Sequence, residues 1–374
     1  MKVRAAVLNH SPAEGPYAQT RPLTIEEVDL APPGPGEVLV KIEAAGLCHS
    51  DLSVIDGARP RPTPIVLGHE AAARVHALGP GVDDLKVGDR AVLVFVPSCG
   101  HCAPCATGRP ALCEPGAAAN GEGTLLSRAR RLSLGGKDIN HQVGVSAFAE
   151  YAVVSRRSLV KLESDMPPEI AALFGCAVLT GVGAAINTAG VKPGQSVAVV
   201  GLGGVGLSAL MGAAAAGALP IIAIDLNEEK LTAARALGAT HCINAADPDA
   251  IEKVRDITRG GVEHALEMAG SAKALELAYL ITRRGGTTTT AGLANHQHTF
   301  AVSPSRLVAE ERTLKGSYIG SCVPTRDIPR FVALYEAGKL PVDALLTSTG
   351  KLDDINEGFD ALASGQAIRH VLLM

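Results

Sequence analysis

Cys99, Cys102, Cys105 and Cys113 follow the spacing C-x2-C-x2-C-x7-C in a stretch that also contains Pro97, Gly100, Pro104 and Gly108. Four thiolates so placed can close a tetrahedral zinc site with no open position. An iron–sulfur cluster draws on the same ligand type and is the alternative at this point. The closed set implies a structural ion, holding a loop that has little hydrophobic material of its own. A second set is dispersed: Cys48 within Gly46-Leu-Cys-His-Ser-Asp51, His69 within Gly68-His-Glu70, and Cys176 after Gly175. Two thiolates and one imidazole give zinc three ligands and leave one position for water or substrate, as a catalytic site needs. Taken singly, each of the three is more often an ordinary hydrogen-bonded histidine or a buried thiol; the combination gives them chemical meaning. Cys242 and Cys322 sit among apolar or small residues and read as inert buried thiols.

A third constellation is Gly201-Leu-Gly203-Gly204-Val205-Gly206, which follows the apolar run Val197–Val200 and opens a segment rich in Ala and Leu. In a dinucleotide fingerprint the first glycine permits the tight turn. The second lets the backbone approach a pyrophosphate, the third allows close helix packing, and the helix N-terminus offers free N–H donors. Asp225 lies 24 residues after Gly201, at the end of the next apolar run. A carboxylate there accepts hydrogen bonds from the adenosine ribose and repels a 2′-phosphate. The following Leu226-Asn-Glu-Glu offers no arginine, and Lys230 is the nearest cation, so NAD is expected rather than NADP.

These groups must be positioned by two kinds of architecture. The first half reads as β-rich: Glu37–Glu43 partly alternates apolar and polar residues, and Arg90–Val96 is a buried run, with Pro and Gly clusters between. From Val191 to about Gly292, short apolar runs alternate with helical patterns, which implies a parallel sheet. Its strands are expected at Ser196–Val200, Ile221–Asp225, His241–Ile243, Val262–Met268 and Gly286–Ala291. Asn227 should cap a helix over Glu228–Leu237, with acidic residues in its first turn and Gly238 beyond its end. Two further helices, Asp327–Gly338 and Ile355–Gly365, and a strand ending at Leu373 complete the chain.

The 374 residues are 47% hydrophobic and 19% charged, enough for two packed domains. The net charge of −4 comes from 34 basic and 38 acidic residues without long single-sign runs, so no nucleic-acid partner is expected. Val197–Ile224 is uncharged and long enough to cross a bilayer, but glycines and Pro220 interrupt it, and a buried strand, helix and strand account for it without a membrane. The apolar run Ala5–Leu8 is too short for a secretory signal, and the cysteines are spaced for metals rather than disulfides, so a cytoplasmic location is expected.

With these motifs in hand, the sequence resembles the zinc-containing medium-chain alcohol dehydrogenases. Within them it is similar to the long-loop branch that includes liver alcohol dehydrogenases and glutathione-dependent formaldehyde dehydrogenase. The resemblance runs through nearly the whole chain, to the closing Ile355-Asn-Glu-Gly-Phe359 and Ile368-Arg369. It implies an α/β protein: a GroES-like β-rich catalytic domain over 1–177 and 320–374, and a Rossmann doubly wound parallel-sheet domain over 178–319 that binds NAD. The cleft between them should hold the nicotinamide. It also implies two Zn2+ per subunit, a catalytic one on Cys48, His69 and Cys176 and a structural one on the clustered cysteines.

By the same resemblance Ser50 takes the substrate proton, Asp51 orients the histidine ligand, and Glu70 lies behind the metal. His49 and Arg369 contact the cofactor phosphates, Thr180 and Val205 support the nicotinamide, Lys230 the adenosine ribose, and Phe95 lines the substrate pocket. Where the family often ends its proton relay on a histidine, this chain has Ser53. The formaldehyde branch holds glutathione with acidic residues before Gly-His-Glu and an arginine after the cysteine loop. Here the corresponding positions are Gly57-Ala-Arg59-Pro-Arg61-Pro62, and Cys113 is followed by Glu-Pro-Gly-Ala. The expectation is therefore NAD-linked oxidation of a primary alcohol, aromatic or carboxylate-bearing ones included, with aldehyde reduction in reverse. Arg59 and Arg61 read first as solvated surface charges, and alternatively as groups that favour an anionic substrate near the pocket mouth. Glutathione-dependent formaldehyde oxidation is the alternative, and a non-catalytic zinc- and dinucleotide-binding protein the alternative of another class. Strand-like runs in Gly285–Gly320 imply a homodimer by the same resemblance.

Overall fold

The computed structural model describes residues 1–295 and 297–374. The chain divides into two units: Met1–Cys176 with Val323–Pro329 and Asp343–Met374, and Ala177–Cys322 with Arg330–Val342. The first part of the chain runs β1 (Lys2–Leu8), β2 (Leu23–Leu30), β3 (Glu37–Gly46), α1 (His49–Ile55), β4 (Ile65–Val66), β5 (Glu70–Leu78), β6 (Arg90–Leu93), α2 (Glu114–Glu122), β7 (Leu132–Leu134), β8 (Lys137–His141), β9 (Tyr151–Ser155), β10 (Leu159–Lys161) and α3 (Pro168–Leu173). The second unit follows with α4 (Ala177–Gly183), β11 (Val197–Val200), α5 (Gly204–Ala215), β12 (Ile221–Asp225), α6 (Glu228–Ala236), β13 (His241–Asn244), α7 (Ala250–Thr258), β14 (Val262–Glu267), α8 (Ala272–Ile281), β15 (Thr282–Thr290) and β16 (Thr313–Gly316). The chain closes with α9 (Pro324–Glu336), β17 (Leu346–Lys351), α10 (Ile355–Ala363) and β18 (Arg369–Leu373).

In the first unit, β1, β2, β7, β8 and β4 close a small barrel, and β10-β6-β5-β3-β18-β17 form a sheet to which β9 adds by pairing with β3. β3 belongs to two cores at once. Val38, Val40 and Ile42 face the larger cluster, where Phe148 and Phe359 meet edge to face at 6.0 Å. Leu39 faces a second cluster with Val3, Val28 and Val153. Period-2 alternation thus serves burial on both faces, and the polar members Lys41 and Glu43 fall at the less buried positions. The expected strand from Arg90 stops at Leu93 rather than Val96. Beyond it the carbonyl of Phe95 is bonded by the Asn120 side chain instead of a neighbouring strand.

The second unit contains a parallel sheet of order β13-β12-β11-β14-β15-β16. Numbered within the unit this is 3-2-1-4-5-6, the doubly wound order whose switch point lies between its first and fourth strands. Ile222 and Ile224 are fully buried with Ala198, Val200 and residues of α7 and α8, each isoleucine contributing roughly 1.5–3 kcal/mol. β15 begins at Thr282, earlier than the apolar run alone indicates, because its threonines pair with β14. Asn227 caps α6 as its position predicts, its Oδ1 accepting from the N–H groups of Glu229 and Lys230. α9 starts ahead of the expected Asp327, at Pro324, where proline's fixed φ suits a first turn. Among the described residues no helix is long and apolar enough to cross a membrane.

One buried histidine in the barrel links this packing to pH. His141 at the end of β8 accepts at Nε2 from the Arg131 N–H, 3.0 Å away, and burial pushes it down to about 4 against the pull of Glu37. The folded protein therefore holds a neutral imidazole that the unfolded chain would protonate at its ordinary value of 6.5. Its contribution is complete above about pH 6.5 and falls away toward pH 4, a loss of about 3 kcal/mol. His141→Gln keeps an acceptor for Arg131. Denaturant titrations at pH 7 and pH 4 should show a smaller acid loss in the variant than in the parent; equal losses would contradict this assignment.

Candidate metal centres and dinucleotide turn

Three glycines let the dispersed cysteine and histidine ligands converge. Gly46 ends β3 where an added Cβ would lie 2.6 Å from Glu70 Oε1. At Gly68, with φ +93°, an added Cβ would lie 2.7 Å from the Phe148 backbone nitrogen, a turn and a clearance that only glycine meets. A Cβ on Gly175 would strike the Leu93 carbonyl. The residues they deliver, Cys48 before α1, His69 before β5 and Cys176 after α3, are buried, with 5%, 2% and 5% of their surface exposed. Their ligand atoms all lie within 4.8 Å of one another.

Asp51 fixes the histidine. Its Oδ1 lies 2.9 Å from His69 Nδ1 and also accepts from the Gly68 N–H. A neutral ring with its proton on Nδ1 would turn the Nε2 lone pair toward the sulfurs, and Cys176 Sγ stands 3.4 Å from Nε2. Tetrahedral zinc, with Zn–S about 2.3 Å and Zn–N about 2.05 Å, would set that separation at roughly 3.5 Å. The donor set therefore fits zinc. The hydrogen bond with Cys176 holds the Cys48 thiol well below its ordinary value, with His69 helping against burial, while the same bond and burial push Cys176 well above it. Burial disfavours protonated His69, but Asp51 and Cys48 outweigh it and raise the imidazole well above its usual range. The two buried sulfurs share one hydrogen bond, and a dication at their centre would stabilise both as thiolates.

The surroundings of this cluster come from α1, β5, β18 and the segment after β6. Ser50 Oγ is 3.6 Å from Cys48 Sγ. His49 is exposed at the start of α1, and the Ser53 hydroxyl donates to its carbonyl at 2.8 Å. Phe95 meets His69 edge-on at 5.1 Å. Glu70 and Arg369 are both buried, Arg369 Nε 3.3 Å from Glu70 Oε1; burial lifts Glu70 to about 7 despite that guanidinium. Arg59 and Arg61 are half-buried, and Arg61 donates to the Asn120 carbonyl at 3.3 Å.

The clustered cysteines also converge, their four sulfurs within 4.8 Å. Cys113 Sγ accepts from the N–H groups of Cys99 and Gly116, and Cys99 Sγ from that of Cys102. Such donors favour thiolates: they bring Cys99 down to about 6 against burial, while burial drives Cys105 up to about 12. Four sulfurs this close, some disposed to ionise and some not, fit one tetrahedral cation.

In the second unit Gly201, at φ +90°, turns the chain out of β11, and Gly203 precedes α5 with open space where a Cβ would stand. Gly204 opens α5, and a Cβ on Gly206 would collide with the Gly201 carbonyl. Asp225 ends β12 with Oδ2 accepting from the Leu202 N–H at 2.6 Å and Oδ1 from that of Asn227 at 2.9 Å. Val205 lies where α4 crosses α5, its carbonyl against Gly181, next to the buried Thr180; Lys230 is half-buried on α6. Sequence reasoning missed Asn120 and Gly116 on α2.

With this geometry established, residues 34–164 match the alcohol dehydrogenase GroES-like domain and residues 204–337 the zinc-binding dehydrogenase family. The structure is similar to an alcohol dehydrogenase zinc-binding domain protein from Burkholderia ambifaria, with 36% identity and a TM-score of 0.94 over 100% of this chain and 99% of that one. It is similar to benzyl alcohol dehydrogenase from Acinetobacter calcoaceticus, with 35% identity and a TM-score of 0.93 over 100% and 99%. An alcohol dehydrogenase from Thermus sp. ATN1 shares 30% identity at a TM-score of 0.82 over 99% of both chains. The chain belongs to the zinc-dependent medium-chain alcohol dehydrogenases, with their GroES-like and Rossmann architecture, and is an oxidoreductase of that type.

Three substitutions test this geometry. Cys48→Ser should lower bound zinc by about one per chain, and Asp51→Asn should weaken that zinc about 10–100-fold, both read by metal analysis during chelator titration. Undiminished zinc in Cys48→Ser would remove Cys48 from the ligand set. Gly206→Ala should abolish NADH fluorescence enhancement while leaving zinc content intact; normal NADH binding would displace the dinucleotide from this turn.

Proposed function

We propose that the protein oxidises primary alcohols, aromatic ones foremost, to aldehydes with NAD, and catalyses the reverse reduction. The observation carrying this reading is the sealed Cys48–His69–Cys176 cluster, three ligands with the imidazole tautomer fixed by Asp51. The similarity to benzyl alcohol dehydrogenase favours aromatic substrates. Zinc held by this cluster supplies Lewis acidity toward the alcohol or carbonyl oxygen, and NAD supplies the hydride acceptor. The clustered cysteines would hold a second, structural zinc.

The chain's own residues divide the remaining work. Ser50, beside Cys48, accepts the proton released by the alcohol. Ser53 already bonds the His49 carbonyl, so the proton passes onward through water or the cofactor ribose rather than through a second histidine. Phe95 offers an apolar wall against His69, suited to an aromatic ring. Glu70 and Arg369 form a buried charged pair behind the ligands, and Arg369 with His49 would steady the cofactor phosphates. Asp225, Lys230, Thr180 and Val205 would hold the adenosine and nicotinamide ends, with Asp225 disfavouring a 2′-phosphate. The exposed edge strand β16 offers unpaired backbone to a second copy, consistent with a homodimer. Six of the eight cysteines lie in the two clusters, spaced for metals rather than disulfides, consistent with a reducing, cytoplasmic setting.

Initial rates with NAD and NADP across benzyl, aliphatic, secondary and carboxylated alcohols test the proposal. Formaldehyde with and without glutathione belongs in the same panel. Fastest turnover of benzyl-type alcohols with NAD is expected, and a gain for carboxylated ones would implicate Arg59 and Arg61. Preference for NADP would overturn the cofactor assignment, turnover confined to formaldehyde plus glutathione the substrate assignment, and no turnover at full zinc loading the catalytic reading itself.

A further inference from the structure

Helix α2 joins the two cysteine clusters by contacts that neither metal site requires. It begins at Cys113, whose sulfur accepts from the Gly116 N–H in the first turn. One turn apart, Gly116 and Asn120 both address the segment leading from β6 toward the cysteine loop. A Cβ on Gly116 would collide with the Pro97 carbonyl, so the helix lies directly on that backbone. Asn120 Nδ2 donates to the Phe95 carbonyl at 3.0 Å. Residues four apart share a helix face, which allows one helix to hold the segment at both points. Phe95, so held, rests the edge of its ring on His69 at 5.1 Å with the planes 82° apart.

From this geometry we propose that Asn120 is a positioning residue for His69, through which order in the four-cysteine loop reaches the catalytic metal ligands. The inference rests on the zinc reading of both clusters. The Asp51 hydrogen bond fixes the tautomer but tolerates a spread of angles. The Phe95 ring is the flat neighbour that limits how far the imidazole tilts, and tilt sets where Nε2 points. The amide at position 120 is also poorly explained by stability alone. It is 7% exposed, and its Oδ1 is buried with no hydrogen-bond partner among the described residues. A leucine of nearly the same size would escape that desolvation cost. What leucine cannot supply is the N–H donor that holds Phe95.

The test replaces zinc with cobalt and reads the visible bands that Cys48→Ser abolishes, which assigns them to the Cys48–His69–Cys176 cluster and separates them from the four-thiolate bands. In Asn120→Leu those bands should shift and kcat should fall about 10–100-fold with KM changed much less, as for other groups acting behind metal ligands, while Tm stays level or rises. Gly116→Ala, which pushes the same helix off Pro97, should move the bands similarly. Unchanged bands and kcat, with or without a lower Tm, would make Asn120 structural and overturn the proposal. If Asn120→Leu does not fold, Asn120→Asp, equal in size but without the donor, is judged by the same bands. Parent protein with no cobalt bands sensitive to Cys48→Ser would overturn the metal reading together with this proposal, whereas parent bands indifferent to Asn120 overturn this proposal alone.

Discussion

Two sulfurs and an imidazole lie within 4.8 Å of one another, almost out of reach of water. Uncompensated, such a cluster is unstable: ionising both thiols in a low-dielectric interior sets like charges against each other, and leaving them protonated wastes buried hydrogen-bonding capacity. A dication answers both difficulties, and the surrounding structure is arranged as if its charge were assumed. Asp51 and Glu70 add two buried carboxylates next to the ligands, and Arg369 answers only Glu70 directly. Breaking such a buried pair typically costs about 3–5 kcal/mol, so the ligand shell and the fold of its unit stand or fall together.

The fold meets that constraint by bringing backbone unusually close to backbone. Gly46, Gly68 and Gly175 stand at crossings where a methyl group would strike Glu70, Phe148 or Leu93. The second unit repeats the device at Gly201 and Gly206, where a Cβ would strike Ala269 or the Gly201 carbonyl. The chemistry belongs to cysteine, histidine and aspartate, but its precision comes from residues that lack side chains.

Local signals made much of this legible in the sequence. The four-cysteine loop, Gly201–Gly206 and Asp225 are short-range patterns, and the alternation of strand and helix after Val191 predicted a parallel sheet, though not the spatial order of its strands. The convergence of Cys48, His69 and Cys176 was legible only in combination, because no spacing rule links residues so far apart in the chain. Asn120 and Gly116 escaped notice because their partners are main-chain carbonyls of Phe95 and Pro97, and a carbonyl leaves no residue-type signature. The early end of β6 escaped for a related reason: an apolar run reveals burial but not where strand pairing gives way to a side chain.

β3 offers a different kind of consequence. Its two faces feed separate hydrophobic clusters, and its end delivers Cys48 to the ligand cluster. A strand shared in this way cannot exchange its amide protons by local fraying of either core, since each core pins it for the other. Opening it requires both clusters to give way together, so the backbone next to the metal ligands inherits the slowest breathing motion of its unit. Exchange of an ion held at Cys48 would then be tied to a collective event in the fold rather than to the movement of one loop.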